Sequence, residues 1–372
     1  MRLPHPLRGA ALLALLIALL PFASALADEI AFGVLMRTDS DATFVLTPRV
    51  RARAALLGER THLDIAYAAD IWTSASIDIR TAATSAVTEE RDEIELGLDH
   101  ELPDLTLRLG YRFSHEPDYV SNTVSASASL ALAEKSSTVD ARLFFAFDRI
   151  GRSGELELPE GQQSLGLRLA FTQIVDPLTL LHFVYEGSRA SGYQSSPYRF
   201  VGIGGDGLCG GAALLCIPEV HPDLRWRHAG VVRGRRALGE SGSLGLGYRL
   251  YADSWGLWGH TLQLAGAWLP SSTATLTLRY RMHRQSGATF YRGRYAFEDL
   301  DQQPYFTRDR ELGGMWSHRL SLALEKEVEV SSAGTPLLLT FSIAGTDFVY
   351  DDFAGLGEVM ALDLMVSARW QM

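Results

Sequence analysis

The sequence predicts an all-β chain, an antiparallel transmembrane β-barrel of about 16 strands, and three observations predict it. Apolar and polar residues alternate with period two in stretches of about ten residues. Short and long breaks between those stretches alternate along the chain. Beyond the N-terminus, no stretch is apolar for long enough to make a membrane helix.

Residues 1–27 read as a secretory signal peptide. Arg2 and Arg8 flank the start of an apolar run from Ala10 to Leu20, and Ala25-Leu26-Ala27 supplies a small-x-small cleavage site before Asp28. The run falls short of the roughly 20 residues a spanning helix needs, which disfavours a membrane anchor. No cysteine follows the cleavage site to carry a lipid. Residues 28–372 are then one outer-membrane barrel domain. Losing Arg2 and Arg8 takes the formal charge from −10 to −12, which argues against nucleic acid as a partner.

The elements follow in order. Phe44, Leu46, Val50, Ala52 and Ala54 oppose Thr43, Thr47, Arg49, Arg51 and Arg53. Successive strand side chains point to opposite faces, so one face of this stretch is apolar and the other charged. Asp64 and then Glu93, Glu95 and Asp99 fall on the polar faces of the next two stretches. Leu105, Leu107, Leu109, Tyr111 and Phe113 oppose Thr106, Arg108 and Arg112. In residues 123–132, valine, alanine and leucine alternate with threonine and serine, and after "AEKSST" Val139, Leu143, Phe145 and Phe147 oppose Asp140, Arg142 and Asp148. Arg168 and Glu186 take polar positions further on. Leu244, Leu246, Tyr248 and Leu250 oppose Ser243 and Arg249, and Leu276, Leu278, Tyr280 and Met282 oppose Thr277, Arg279, Arg281 and His283. Met360 to Trp370 closes the series. Trp370 lies two residues from the end, compatible with a terminal assembly signal and equally with an interfacial aromatic girdle.

An apolar face on every strand needs an apolar partner. A soluble sandwich would need a second sheet and would leave open edges, whereas lipid covers a closed barrel directly. The connections decide for the barrel. Short breaks at 57–60, 101–104, 133–138, 175–177, 239–242, 270–273 and 330–335 read as periplasmic turns. Longer ones near 37–42, 73–91, 114–122, 148–163, 187–224, 252–256, 284–317 and 347–357 read as extracellular loops. Seven turns and eight loops require 16 strands, from near Ile30 to near Trp370. Fourteen is the alternative, because the first element, Ile30 to Met36, is short.

The loops carry four stretches, "EPDYVS", "SSPYRF", "YRLYADSWGLWGHTL" and "YRMHRQSGATFY". With them the chain resembles a family of Gram-negative outer-membrane barrel proteins catalogued as a domain of unknown function. The resemblance picks out Glu116, Asp118 and Tyr119; Tyr198 and Arg199; Asp253 and Trp255; and Gln285 and Tyr291. It implies a barrel and an outer-membrane location, and no activity. "WTSASID" departs from the family's pattern, and the double-cysteine loop looks peculiar to this chain.

Two sets of residues are candidates for function. The loop-rim set just named reads either as an external site or as loop packing. The lumen set is Arg49, Arg51, Arg53, Asp64, Glu93, Glu95, Arg108, Arg112, Asp140, Arg142, Arg168, Arg249, Arg279 and Arg281. It reads either as an anion-favouring lining or as a mutually neutralising ladder. Cys209 and Cys216 are expected to form one disulfide. Zinc at these cysteines with His221 and His228 is disfavoured because the spacing matches no common pattern, so no metal and no cofactor is expected. His260, His283 and Ser286 lack a third group to orient them, so no enzyme is expected. The leading expectation is a porin-like channel for small polar or anionic solutes in the outer-membrane lipid. The alternative is a non-conducting scaffold that binds an exported protein through its lumen or loops.

Overall fold

The computed structural model describes residues 27–372 except 57, 75–86, 153–157, 330–334 and 354. All but the last residue of the expected signal peptide lies outside the described residues. So do parts of the connections expected at 57–60, 73–91, 148–163, 330–335 and 347–357, and part of "WTSASID".

Sixteen strands close into one antiparallel barrel. The first nine are β1 (Glu29–Asp39), β2 (Thr43–Ala55), β3 (Thr61–Ser74), β4 (Val87–Glu101), β5 (Leu105–His115), β6 (Tyr119–Leu132), β7 (Ser137–Ile150), β8 (Glu160–Asp176) and β9 (Thr179–Gly192). A small hairpin outside the barrel, β10 (Phe200–Ile203) and β11 (Leu215–Pro218), follows. The barrel resumes with β12 (Leu224–Leu238), β13 (Gly242–Asp253), β14 (Trp258–Ser271), β15 (Ala274–Gln285), β16 (Met315–Glu329), β17 (Pro336–Tyr350) and β18 (Glu358–Gln371). β1 pairs with β2 on one side and β18 on the other. That double pairing removes the 14-strand alternative.

The period-two pattern works because the register is even almost throughout. Along β6, Ser125, Ser127 and Ser129 sit opposite Gly110, Arg108 and Thr106, and opposite Phe144, Arg142 and Asp140, on the inward face. Leu109, Leu143, Leu244 and Leu320 face out, each more than half exposed. On β14, Trp258 and Trp268 both face out and bracket the apolar band. Ten residues at about 3.4 Å rise, tilted by about 40°, span about 25 Å, the height of the band lipid covers.

Two outer connections are much shorter than the sequence predicts. They span residues 40–42 and 116–118, because β1, β5 and β6 run on past the apolar band; a third, expected at 252–256, lies at 254–257. Arg37, Thr38 and Ser114 look like loop by polarity but continue the ladder. The first turn is closed by Asp39, whose Oδ1 accepts from the backbone N–H of Asp41 (3.0 Å) and Thr43 (2.9 Å). The two longest connections, residues 193–223 and 286–314, carry structure of their own. The first holds the β10–β11 hairpin; the second holds a short helix, α1 (Phe297–Gln302), and a 3-10 turn at Arg310–Leu312.

Candidate functional site: the lumen and its loop collar

The register places all fourteen predicted lumen residues on the inward face. On the β2–β5 wall they form a neutralised ladder. Arg49 meets Glu95 at 2.7 Å, Arg51 is paired with Asp64, and Arg53 reaches Asp99 (3.5 Å) and Glu101 (3.3 Å). Arg108 reaches Asp99 at 3.3 Å, and Arg112 lies 3.9 Å from Glu93. Arg108 and Asp99 stand directly opposite each other and the other pairs are diagonal or span two strands; opposite charges so placed stabilise a wet sheet face.

The β12–β15 wall differs. Arg227, Arg233, Arg249, Arg279 and Arg281 point inward, and among the described residues none has a carboxylate within 4.0 Å. Arg227 and Arg233 escape the sequence reading because "RWRHAGVVRGRR" places arginine on both faces and leaves the outward one interrupted by Gly230 and Gly234. The inward parity of Ala229 and Val231 is the signal that finds them. Asp140 lies inward opposite Ser129, and Arg142 donates to Ser125 Oγ at 3.3 Å.

Two cavities occupy the lumen. One of about 710 Å³ lies against β1–β7. The other, about 410 Å³, follows the arc of neighbouring strands β4–β9, β12 and β13, with Glu95 and Arg112 at one end and Arg227, Arg249 and Tyr251 at the other. Five arginines line it, Arg112, Arg142, Arg168, Arg227 and Arg249, against two glutamates, Glu95 and Glu186. Arg168 and Glu186 face each other at 3.5 Å. Phe144 lies over Gly166, where a Cβ would clash with its ring, so the wall stays smooth there.

At the loop end, the rim residues build a collar. Asp253 organises the tightest part. Its Oδ1 accepts from the N–H groups of Trp255 and Leu257, each at 3.0 Å, and its Oδ2 accepts from Arg225 Nη2 (2.5 Å), Arg225 Nε (2.9 Å) and the Tyr251 hydroxyl (3.0 Å). The Arg225 guanidinium also stacks 4.0 Å over the Trp255 ring. Trp255, Leu257, Ala288, Phe290 and Leu312 form a buried apolar cluster. Gln285 ties the 3-10 turn down, donating to the carbonyls of Glu311 and Gly313, both at 2.8 Å.

A second cluster, Val201, Ile203 and Tyr295, locks the two long loops together. Beside it the Glu219 carboxylate accepts from Thr307 Oγ1 (2.7 Å) and Ser196 N–H (2.7 Å), with Arg199 at 3.6 Å and His221 Nε2 at 3.4 Å. Burial opposes its charge, yet His221, Arg199 and the Ser196 amide outweigh burial and hold the carboxyl below the usual range. Arg199 also reaches Asp309 at 2.7 Å. Arg310 reaches Asp41 at 2.6 Å, and Tyr291 donates to the Asp352 carbonyl at 2.5 Å. The collar thus ties loops from β1–β2 to β17–β18. Arg199, Asp253, Trp255, Gln285 and Tyr291 hold the loops together in these ways, while Tyr198 donates its backbone N–H to Ser196 Oγ at 3.3 Å.

Cys209 and Cys216 are joined by a disulfide, with Cα atoms 5.8 Å apart, across the β10–β11 hairpin. Replacing both by serine is expected to cost about 2 kcal/mol of local stability. Limited proteolysis of residues 204–214 should detect it as faster cleavage.

Glu116, Asp118 and Glu89 gather on the other side of the rim, with one carboxylate oxygen of each within 4.8 Å of the others. Burial, then Asp118, push the Glu116 carboxyl up. These are the described residues best arranged to hold a cation. Tyr119 stands beside them at the start of β6. His283, which faces the lumen, shares bonds with Thr261 Oγ1 (2.9 Å) and Gln285 Oε1 (3.3 Å), while Ser286 Oγ accepts from Trp258 N–H at 3.1 Å.

Residues 159–335 match the model of a family described as a protein of unknown function (DUF3570). The match includes the Tyr198, Asp253 and Gln285 stretches and stops short of Glu116. No curated protein matches the chain in sequence. Among solved structures, a bacterial polysaccharide outer-membrane secretin is similar, with 7% identity, a TM-score of 0.53, and coverage of 93% of this chain and 99% of the other. OprD of Pseudomonas aeruginosa has 10% identity and a TM-score of 0.46, covering 92% of each chain. OccK2 (OpdF) of the same organism, solved with glucuronate, has 10% identity and a TM-score of 0.46, covering 92% of this chain and 97% of the other. The likeness to the secretin is one of fold: the chain is an outer-membrane-type β-barrel.

Proposed function

We propose that the protein is an outer-membrane channel for small anionic solutes, held with its collar outside the cell and its tight turns in the periplasm. The observation that carries this reading is the lining of the smaller lumen cavity, where five arginines face two glutamates. Charges lining a cleft with low-dielectric walls focus their field, so an excess of fixed cations there concentrates anions and repels cations. The neutralised β2–β5 wall cannot supply that excess; Arg227 and Arg249 can.

The test is ion selectivity in a planar bilayer under a salt gradient. The wild-type barrel is expected to conduct with anion preference. Reversing Arg142 and Arg249 to glutamate takes the charge of this lining from 5 − 2 = +3 to 3 − 4 = −1, and the reversal potential is expected to change sign. A cation-selective wild type, or a selectivity the double reversal leaves unmoved, would sink the reading.

A second reading, a scaffold for an exported protein, is favoured by the exposed Leu214, Leu215 and Phe297 on the collar. An electrically silent barrel that retains one defined exported protein through gentle extraction would support it.

A further inference from the structure

The outward face of six neighbouring strands, β9 and β12–β16, carries one device three times. Trp226 and His228 on β12, Trp258 and His260 on β14, and Trp316 and His318 on β16 stand two residues apart near the collar end of each strand. The neighbouring strand supplies a tyrosine each time. The Tyr185 hydroxyl lies 2.8 Å from His228 Nδ1, that of Tyr280 lies 2.8 Å from His318 Nδ1, and that of Tyr248 bonds His260 Nδ1. The geometry is the same in all three. Each tyrosine sits directly opposite Gly230, Leu262 or Leu320 and one diagonal step from its histidine.

A tyrosine O–H donating to Nδ1 puts the imidazole proton on Nε2. Each ring then offers a fixed N–H donor beside an indole, and no acceptor for it is found among the described residues. Arg189 lies 5.8 Å over the Trp226 ring, with no carboxylate partner among the described residues. None of the outward positions on these six strands is aspartate or glutamate. The flanking acids are few: Asp351 pairs with Arg284 at 2.7 Å, and Asp347 of β17 stands opposite His318. Elsewhere on the outward face, by contrast, β4 carries Glu90 and Asp92.

Aromatic belts are general at membrane interfaces. A belt that adds an N–H donor beside each indole, over one arc only and without carboxylates, is complementary to an anionic headgroup. We propose that this arc binds the phosphate groups of the phosphorylated glycolipid of the outer leaflet. Two strands separate each repeat from the next, a step of roughly 10 Å, so neighbouring donors can engage more than one phosphate. The inference rests on the orientation given under Proposed function, and it is independent of conduction.

The full-length barrel in detergent micelles is offered diphosphoryl lipid A, dephosphorylated lipid A or phosphatidylethanolamine, and bound lipid is counted by native mass spectrometry. Diphosphoryl lipid A is expected to be retained over both others. The combination His228→Phe, His260→Phe, His318→Phe and Arg189→Leu keeps the belt apolar and is expected to weaken retention roughly tenfold or more. Arg149→Leu, on β7 outside the arc, should bind as wild type. If the quadruple variant fails to fold, as read by its heat-dependent gel mobility, Arg189→Glu alone is expected to lower retention of the phosphorylated lipid selectively. Equal retention of dephosphorylated lipid A, or an unaffected variant, overturns the proposal. So does a stable barrel-to-barrel contact over this arc, read by light scattering and by cross-linking through Leu262→Cys. A barrel that is silent in the bilayer yet passes this test leaves the lipid site standing.

Discussion

Glu219→Ala is expected to cost about 3–5 kcal/mol of local stability in the collar, the scale for breaking a buried charge cluster by deleting one member. The Glu219 side chain is fully buried, and it is where the loop of residues 193–223 meets that of residues 286–314 through Thr307. Without it the Ser196 N–H and Thr307 hydroxyl lose their acceptor and Arg199 and His221 lose an adjacent anion. Hydrogen exchange should accelerate across both loops while the barrel strands stay protected. Glu219→Gln should lose less, because an amide oxygen still accepts from Ser196.

The same residue sets a pH dependence. Its folded carboxyl is depressed, so its contribution is fully present above the unfolded glutamate value of about 4.3 and is lost as pH falls through the lower folded value. Collar exchange is therefore expected to rise below about pH 4 in the wild type, and to respond far less in Glu219→Gln. A wild-type collar indifferent to acid would remove Glu219 from this role.

Asp253→Ala is the second large effect, also about 3–5 kcal/mol, since it strands the Arg225 guanidinium in an almost closed site. The carboxylate closes the turn at residues 254–257 through two backbone N–H groups and fixes Arg225 over Trp255. Exchange at residues 254–257 and a lowered denaturant midpoint for the collar are the readouts. Asp253→Asn keeps acceptor oxygen for the turn but loses the ion pair, and should fall between. If alanine and wild type exchange alike at this turn, the assigned role is wrong.

The barrel was legible because its signal is local. A strand's two faces are decided by parity, so Arg49, Arg51 and Arg53 against Val50, Ala52 and Ala54 suffice to point three guanidiniums inward without knowledge of any partner. The arginine-rich cavity was not legible. It gathers side chains from eight strands, which no local pattern brings together. Nor was the collar, whose bonds join Glu219 to Thr307 and Asp41 to Arg310 over long sequence separations. Polarity misled at Arg37 and Ser114, where strand runs on beyond the lipid and polar residues no longer mean loop. The tyrosine–histidine pairs needed the register, because each is diagonal between strands.

The seam between β1 and β18 has a consequence for biogenesis. Ile30 faces Trp370 across it, so the chain from one to the other must be made before the ring can seal. Joining ends so distant carries an entropic cost, and until they meet two bare hydrogen-bonding margins invite wrong partners. Assembly of this design is exposed to mispairing at those two margins until β18 arrives.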